Sequence, residues 1–436
     1  MLRHEDNMAL TQVGPETPMG RFMRRYWIPA AKLEQIAEPG GAPIRVKLLG
    51  EALVAFRDPN GKVGLIGEYC PHRGASLVYG RNEEDGLRCL YHGWKMGCGY
   101  VLESPPEPPT RTFAKKLQHV SYPVREAGQL LWAYMGPPEL EPPFPKFPWL
   151  NLPESQLLVV KMHQASNYLQ GVEGDLDPAH PNYLHRDFDL EDKESWAGAG
   201  WESIAHLMSD GAPVIHCEET PYLMRVGAVR NTEKPDVHYV RSTEWIAPFY
   251  CYIATGPRES RLFKAWHPID DHNCYTFYVH FDLEKPIDKE AAYSNWGHLT
   301  SPPEYKTPHS LANMHLQDRE RMKRGNFSGV SGAAVQDRVV QESMLPIVDR
   351  TKEHLGTSDK AVMFYRKLLL QKLKEMDEGK PLPGQDPSLD YNQRACSFNL
   401  SADKPWQAVV KAQEDYERSL GVDERHLSTA NAVMAQ

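Results

Sequence analysis

The sequence predicts an α+β protein of two domains, a small all-β domain followed by a larger one in which long helices cover an antiparallel sheet. Three observations carry this. Residues 27–135 alternate short β-type runs with tight turns. Residues 136–153, GPPELEPPFPKFPWLNLP, hold seven prolines. Proline lacks the N–H and clashes with the preceding helical turn, so this stretch reads as a semi-rigid linker. Beyond it, from residue 154 to 436, strand-like runs come first and helices after them, the order of an α+β domain. The 436 residues, 41% of them hydrophobic, suffice for two cores.

The elements follow in order. Residues 1–26 read as an N-terminal arm with one short helix. In IRVKLLGEALVAFRDPNGKVGLI, Asp58-Pro59-Asn60-Gly61 is a strong hairpin signal. NEEDGLRC marks a second turn just ahead of Cys89. Residues 163–187 read as helical. Residues 202–282 read as successive strands: PVIHCEET, YLMRVGAVR, HYVRSTEWIAPFYCYIA, RLFKAWHPI and CYTFYVHFDL. A helix over 359–377, rich in Leu and Lys, starts at Thr357 or Ser358.

Composition excludes several function classes. Net charge is −9 without a basic stripe, which argues against a nucleic-acid partner. No run approaches the roughly 18 apolar residues of a membrane span. MLRHEDNMAL lacks the apolar core of a signal peptide, so the expected compartment is the cytoplasm, with reduced cysteines. Of the seven cysteines, Cys70 and Cys89 sit in motifs. Cys98, Cys217, Cys251, Cys274 and Cys396 are scattered and read as inert.

The first motif pair is Cys70-x-His72, sixteen residues, then Cys89-x2-His92, both at loop tips of the all-β domain. Four such ligands hold a metal. Structural zinc is one reading, but zinc loops usually pair like with like, Cys with Cys and His with His. Here each loop supplies one Cys and one His. That suits a cluster with two unlike irons, one taking both thiolates and the other both imidazoles. Cys70-Pro71-His72-Arg73-Gly74 and Cys89-Leu90-Tyr91-His92-Gly93-Trp94 closely resemble the Rieske [2Fe–2S] motifs of bacterial ring-hydroxylating oxygenases. A cluster of this kind only stores an electron, and the remaining 300 or so residues need their own explanation.

The second motif, Asp177-x2-His180-x4-His185, lies in NYLQGVEGDLDPAHPNYLH. On an ideal helix the two histidines would point about 140° apart. Pro181 can break the helix and re-aim them. Asp177-Pro178 also reads as a helix N-cap. Two histidines and a carboxylate form the facial triad of non-haem Fe(II) oxygenases. The same Rieske oxygenase family carries a similar motif. The resemblance implies that His180 and His185 bind iron. It further implies that Asp177 is a bridging acid that hydrogen-bonds His180 and reaches His92 of a neighbouring subunit. Candidates for the third ligand are Asp318, Asp337, Glu342 and Asp349; Asp337, in GAAVQDRVVQESM, fits the family's placement best. Asn167, Gln170 and Glu173 are either supports for the iron ligands or polar residues of a helix face.

The resemblance spans nearly the whole chain and points to the phthalate-dioxygenase-like subgroup. It implies a helix-grip catalytic domain over 154–436 and a head-to-tail homotrimer or a pair of trimers. The chain has no Gly-rich dinucleotide fingerprint and no plant-type ferredoxin cysteines. Electrons from NAD(P)H must therefore arrive through a separate flavin/iron–sulfur reductase, with O2 as co-substrate. The implied substrate is an aromatic acid and the implied reaction ring dihydroxylation. The alternatives are monohydroxylation or O-demethylation of a methoxy-aromatic acid, and an electron carrier without O2 chemistry. Arg225, Arg230 and Arg241 are candidates to pair with a substrate carboxylate. Glu244, if it faced the pocket, would repel one.

Overall fold

Ten short strands fall between residues 27 and 134: β1 (Trp27–Lys32), β2 (Ile44–Leu48), β3 (Glu51–Arg57), β4 (Val63–Gly67), β5 (Arg81–Glu83), β6 (Gly86–Arg88), β7 (Lys95–Met96), β8 (Val101–Glu103), β9 (Val124–Ala127) and β10 (Leu130–Tyr134). The computed structural model describes residues 2–108, 110, 113–186, 210–257, 259–298 and 300–422. The chain divides into two compact units. One comprises Gln12–Phe144 with His267–Asp271, the other Met1–Thr11, Pro145–Trp266 and His272–Gln436. The crossing at Phe144/Pro145 falls inside the proline-rich stretch. The N-terminal arm differs from expectation: it holds two helices, His4–Thr11 and Pro18–Arg24, which belong to different units.

In the first unit the strands form three small antiparallel sheets, β1-β10-β9, β2-β3-β4 and β5-β6-β7-β8. Asp58 makes the β3–β4 turn. Its Oδ1 accepts from the N–H groups of Asn60 and Lys62, both at 2.9 Å, and Gly61 takes the left-handed φ of +86° that the turn requires. Glu84 and Asp85 close the β5–β6 hairpin ahead of Cys89. The core between these sheets includes Val54, Ile66, Leu77, Leu87, Trp94 and Met96, and Cys70 and Cys89 are part of it.

The second unit is built on an eight-stranded antiparallel sheet. Its strands are β11 (Leu157–Gln164), β12 (Val214–Glu219), β13 (Leu223–Asn231), β14 (Val237–Ile246), β15 (Tyr250–Ile253), β16 (Arg261–Pro268), β17 (Cys274–Phe281) and β18 (Cys396–Ser401). Their order is β11-β17-β16-β15-β14-β13-β12, with β18 paired to β14. Two strands were not anticipated. β11 runs into the stretch read as helical, and its residues are buried along nearly its whole length, so no alternation marks it. β18 lies beyond the helices in sequence. The run 238–254 is two strands, because the chain reverses at Ala247–Phe249 to pair β14 with β15.

The helix Lys360–Asp377 buries Val362, Tyr365, Leu369 and Leu373, the i, i+3/i+4 stripe of a helix lying on a core. The helix Tyr168–Leu176 lies directly on the sheet. A Cβ on Gly171 would sit 2.2 Å from the Trp266 ring, and one on Gly174 would sit 2.3 Å from Gln341 Nε2. Two glycines thus let this helix approach both the sheet and the helix Ala333–Ser343.

Candidate metal centres

The two Cys/His loops are near copies in their backbone bonding. Cys70 N–H donates to Ala75 O at 2.9 Å and Gly74 N–H to Cys70 O at 2.9 Å. In the second loop Cys89 N–H donates to Trp94 O at 2.8 Å and Gly93 N–H to Cys89 O at 3.0 Å. Gly74 and Gly93 carry φ of +74° and +70°, the left-handed conformation that closes each loop. The loops sort their side chains. Both thiols are buried and adjacent, and burial pushes the Cys70 thiol up to about 11. His72 is exposed and His92 half-buried, with ring centroids 4.6 Å apart, and His72 stacks flat on Trp94. His92 Nδ1 is buried and makes no hydrogen bond among the described residues, which suits a nitrogen that coordinates a metal. Thiols inside and imidazoles outside fit a cluster with two chemically different irons.

The second centre is assembled from two distant segments. Asn167 caps the helix Tyr168–Leu176, its Oδ1 accepting from Leu169 N–H at 3.1 Å. The helix ends at Asp177, which is therefore a C-terminal residue of one helix and not the N-cap of the next. Pro178 has no N–H to continue the ladder. Asp177 Oδ1 instead accepts from Ala179 N–H at 2.7 Å. A single turn, Pro181–Leu184, follows with Pro181 at its first position, and His180 and His185 bracket it. Their rings face each other at 5.2 Å and 74°.

The helix Ala333–Ser343 supplies Asp337. Its Oδ1 lies 3.6 Å from His180 Nε2 and 3.3 Å from His185 Nε2. All three ligand atoms fall within 4.8 Å of one another. Donors about 2.1 Å from a shared metal in adjacent positions would lie roughly 3 Å apart, so modest closure completes the site. Of the other acids, Asp318 caps the backbone at Glu320 and Arg321, and Asp349 accepts from Thr351. Glu342 is buried against Arg338, Ala165 N–H and His315.

The electrostatics suit a cation. Burial holds His180 down at about 4, against the pull of Asp337. Burial also opposes charge on His185, but Asp337 outweighs it and raises that histidine. Asp337 is buried too, yet the two histidines bring it down to about 2. The ionised Asp337 beside the neutral His180 is in the state a divalent metal requires, and His185 would reach it by giving up a proton on binding. His180 Nδ1 donates to the Asp177 backbone carbonyl at 2.7 Å, which leaves its Nε2 lone pair facing Asp337. The Asp177 carboxylate is 3.9 Å from that nitrogen. The expected carboxylate–imidazole hydrogen bond is thus replaced by a carbonyl one, because the Ala179 turn occupies the side chain.

Asn167, Gln170 and Glu173 anchor the motif. Asn167 Nδ2 donates to Thr11 O at 2.8 Å. Gln170 Nε2 donates to the carbonyls of Gln341 and Leu345, and its Oε1 accepts from Val348 N–H. Glu173 pairs with Arg350 at 2.8 Å and Arg366 at 2.6 Å. None of the three touches the site. Their bonds hold the histidine-bearing segment against the helix that carries Asp337.

The arginines separate by face. On β13 and β14, Arg225 pairs with Glu244 across the ladder. Burial pushes Glu244 up to about 7 against that partner. Its neighbour Trp245 opposes Cys251, whose thiol reaches Asp175, so successive residues face opposite sides of the sheet. Glu244 therefore points away from the side carrying the centre and does not face a carboxylate bound there. Arg230 is buried, donating to Asp210 O at 3.0 Å and to Pro178 O, while its Nη1 has no partner. Arg241, opposite Ala228 on the inner face, is half-buried and makes no hydrogen bond or ion pair among the described residues. Its charge reaches His185 and Arg230.

Two features escaped the sequence. Gln336 Oε1 lies 2.6 Å from His185 Nδ1, with adjacency to Asp337 its only signal. Asp175 holds buried Lys264 at 2.6 Å and Trp266 Nε1 at 2.6 Å, which fastens the helix to β16.

Comparison with known proteins matches residues 26–114 to the Rieske [2Fe-2S] domain and residues 133–433 to the family described as LigXa C-terminal domain like. The phthalate 4,5-dioxygenase oxygenase subunit of Pseudomonas putida is 36% identical, over 96% of this chain and 99% of its own length. The 3-chlorobenzoate-3,4-dioxygenase oxygenase subunit of Comamonas testosteroni is 34% identical, over 89% and 92%. The crystal structure of dicamba monooxygenase bound to dicamba shares the fold, with a TM-score of 0.56 at 20% identity over 83% of this chain and all of that one. No helix among the described residues is long and apolar enough to cross a membrane.

Proposed function

The chain belongs to the Rieske non-haem iron oxygenases as a terminal oxygenase subunit acting with O2 and a separate reductase, and we propose that its substrate is an aromatic acid that it dihydroxylates on the ring. In this reading Cys70 and Cys89 hold one iron of the cluster, and His72 and His92 the other. His180, His185 and Asp337 hold a ferrous ion. Ferrous iron in such a triad supplies O2 activation, drawing electrons from the Rieske cluster. The single observation that carries the reading is the convergence of His180, His185 and Asp337, three donors from segments about 150 residues apart, within 4.8 Å.

Asp177 is the bridging acid, at the turn directly beside His180, and hands on electrons from His92 of a neighbouring subunit in a homotrimer. The chain's compartment is the cytoplasm, a reading supported by the free cysteines. Arg241 binds the substrate carboxylate. It is a half-buried cation on the same sheet face as the centre, and an arginine there offers two parallel N–H donors to a carboxylate. Relatives acting on phthalate and chlorobenzoate are consistent with that charge.

The test is metal and sulfide content with EPR of the dithionite-reduced protein. About three irons and two acid-labile sulfides per chain, with a Rieske-type signal, are expected. Two irons, unchanged in His180→Ala, would leave an electron carrier as the better reading. Zinc without sulfide would remove both centres.

A further inference from the structure

We propose that Gln336 is a positioning residue that locks His185 in the tautomer protonated on Nδ1, so that its Nε2 lone pair is presented to the metal. The inference rests on the reading of His180, His185 and Asp337 as an iron site.

The argument starts from an atom that can only accept. Val330 O is a backbone carbonyl, and the Gln336 side chain reaches it with Nε2 at 2.8 Å. That contact requires the amide nitrogen at this end, which puts Oε1 at the other, 2.6 Å from His185 Nδ1. A carboxamide oxygen cannot donate, so the imidazole must carry its proton on Nδ1. Any neutral form of the ring therefore keeps its lone pair on Nε2, the atom 3.3 Å from Asp337, and Nε2 is the position that gives up its proton to a metal. For His180 the Asp177 carbonyl does the same. Each histidine thus has its own acceptor, one from the backbone and one from a side chain.

The amide is itself held rigidly. Ser328 Oγ lies 3.0 Å from its Nε2. The 326–330 loop is closed by Asn326, which donates to Val330 O and accepts from Gly329 N–H. Phe327 N–H donates to Arg186 O at 2.9 Å. The residue after His185 and the His185 ring are therefore both tied to the segment that carries Asp337. Gln336 is 6% exposed, so water is not at hand to replace it as acceptor.

Anaerobic Fe(II) titration of the full-length protein, depleted of its mononuclear iron with the Rieske cluster intact, tests this, with the Rieske EPR signal and the melting temperature as internal controls. Gln336→Leu keeps the volume but removes the acceptor, and it should weaken Fe(II) binding roughly 10- to 100-fold. Gln336→Glu keeps an oxygen on Nδ1–H and should bind within about threefold of the parent, a small fraction of that loss. Parental affinity in Gln336→Leu, or equal losses in both variants, would overturn the proposal. Should Gln336→Leu fail to fold, proton NMR of the parent with Co(II) at the mononuclear site decides. Two far-shifted, slowly exchanging N–H resonances are expected, one per histidine, and fewer than two would overturn it. A parent that binds no Fe(II) at this site would instead overturn the iron reading itself.

Discussion

Asp177 meets His180 through its backbone carbonyl at 2.7 Å, while its carboxylate stands 3.9 Å away, engaged by Ala179 N–H. The atom that orients the imidazole and the group that carries charge are therefore separate parts of one residue, and mutation can remove the second without the first.

Asp177→Asn should keep iron content at the parental level, because the carbonyl on His180 Nδ1 is untouched. Turnover should fall about 100-fold or more if the carboxylate lies on the electron path. Iron analysis together with substrate-dependent O2 uptake checks both halves. Near-parental turnover would refute the bridging role.

Asp337→Ala removes the only carboxylate among the described residues that lies within reach of both histidines. The protein should retain the Rieske EPR signal and lose about one iron per chain, with O2 uptake abolished. Retention of all the iron would show that the third ligand lies elsewhere.

Glu173→Gln should destabilise the second unit by about 3 kcal/mol, because Arg350, fully buried, and Arg366 lose their shared counter-ion. The effect should depend on pH. Burial opposes charge on Glu173, but the two guanidinium groups more than compensate and hold it below the ordinary glutamate range. A depressed carboxylate contributes its full stability above about pH 4.3 and loses it as pH falls through the lower folded value. Melting curves of parent and variant should differ most near neutrality and converge in acid. A gap that stays constant with pH would contradict this.

Arg241→Gln should raise KM for aromatic acids about tenfold or more, the scale of one lost hydrogen bond to a charged group, with a smaller change in kcat. Uncharged aromatic analogues should be much less affected. Steady-state kinetics on an acid and its amide separate the two, and equal losses on both would show that Arg241 does not read the carboxylate.

The chemistry-bearing residues were legible because their spacing is local. Cys70 and His72, or Cys89 and His92, lie in one tight loop each, and His180 and His185 flank one turn opened by Pro181. The hairpin at Asp58–Gly61 and the strands β12, β13, β16 and β17 were legible for the same reason, since turn chemistry and short apolar runs are written in adjacent residues, whereas β14 and β15 read as one run. β11 was not: flanked on both faces, it shows no period of two. The roles around the centre were decided only by tertiary contacts. Asp337 is distinguished from Asp318, Glu342 and Asp349 by the residues opposite each of them. Gln336 acquires a partner 151 residues away, and Glu244 faces Arg225 on the far side of the sheet. Sequence spacing determines which residues share a turn, whereas the packing of helix on sheet, permitted here by Gly171 and Gly174, determines which distant side chains meet.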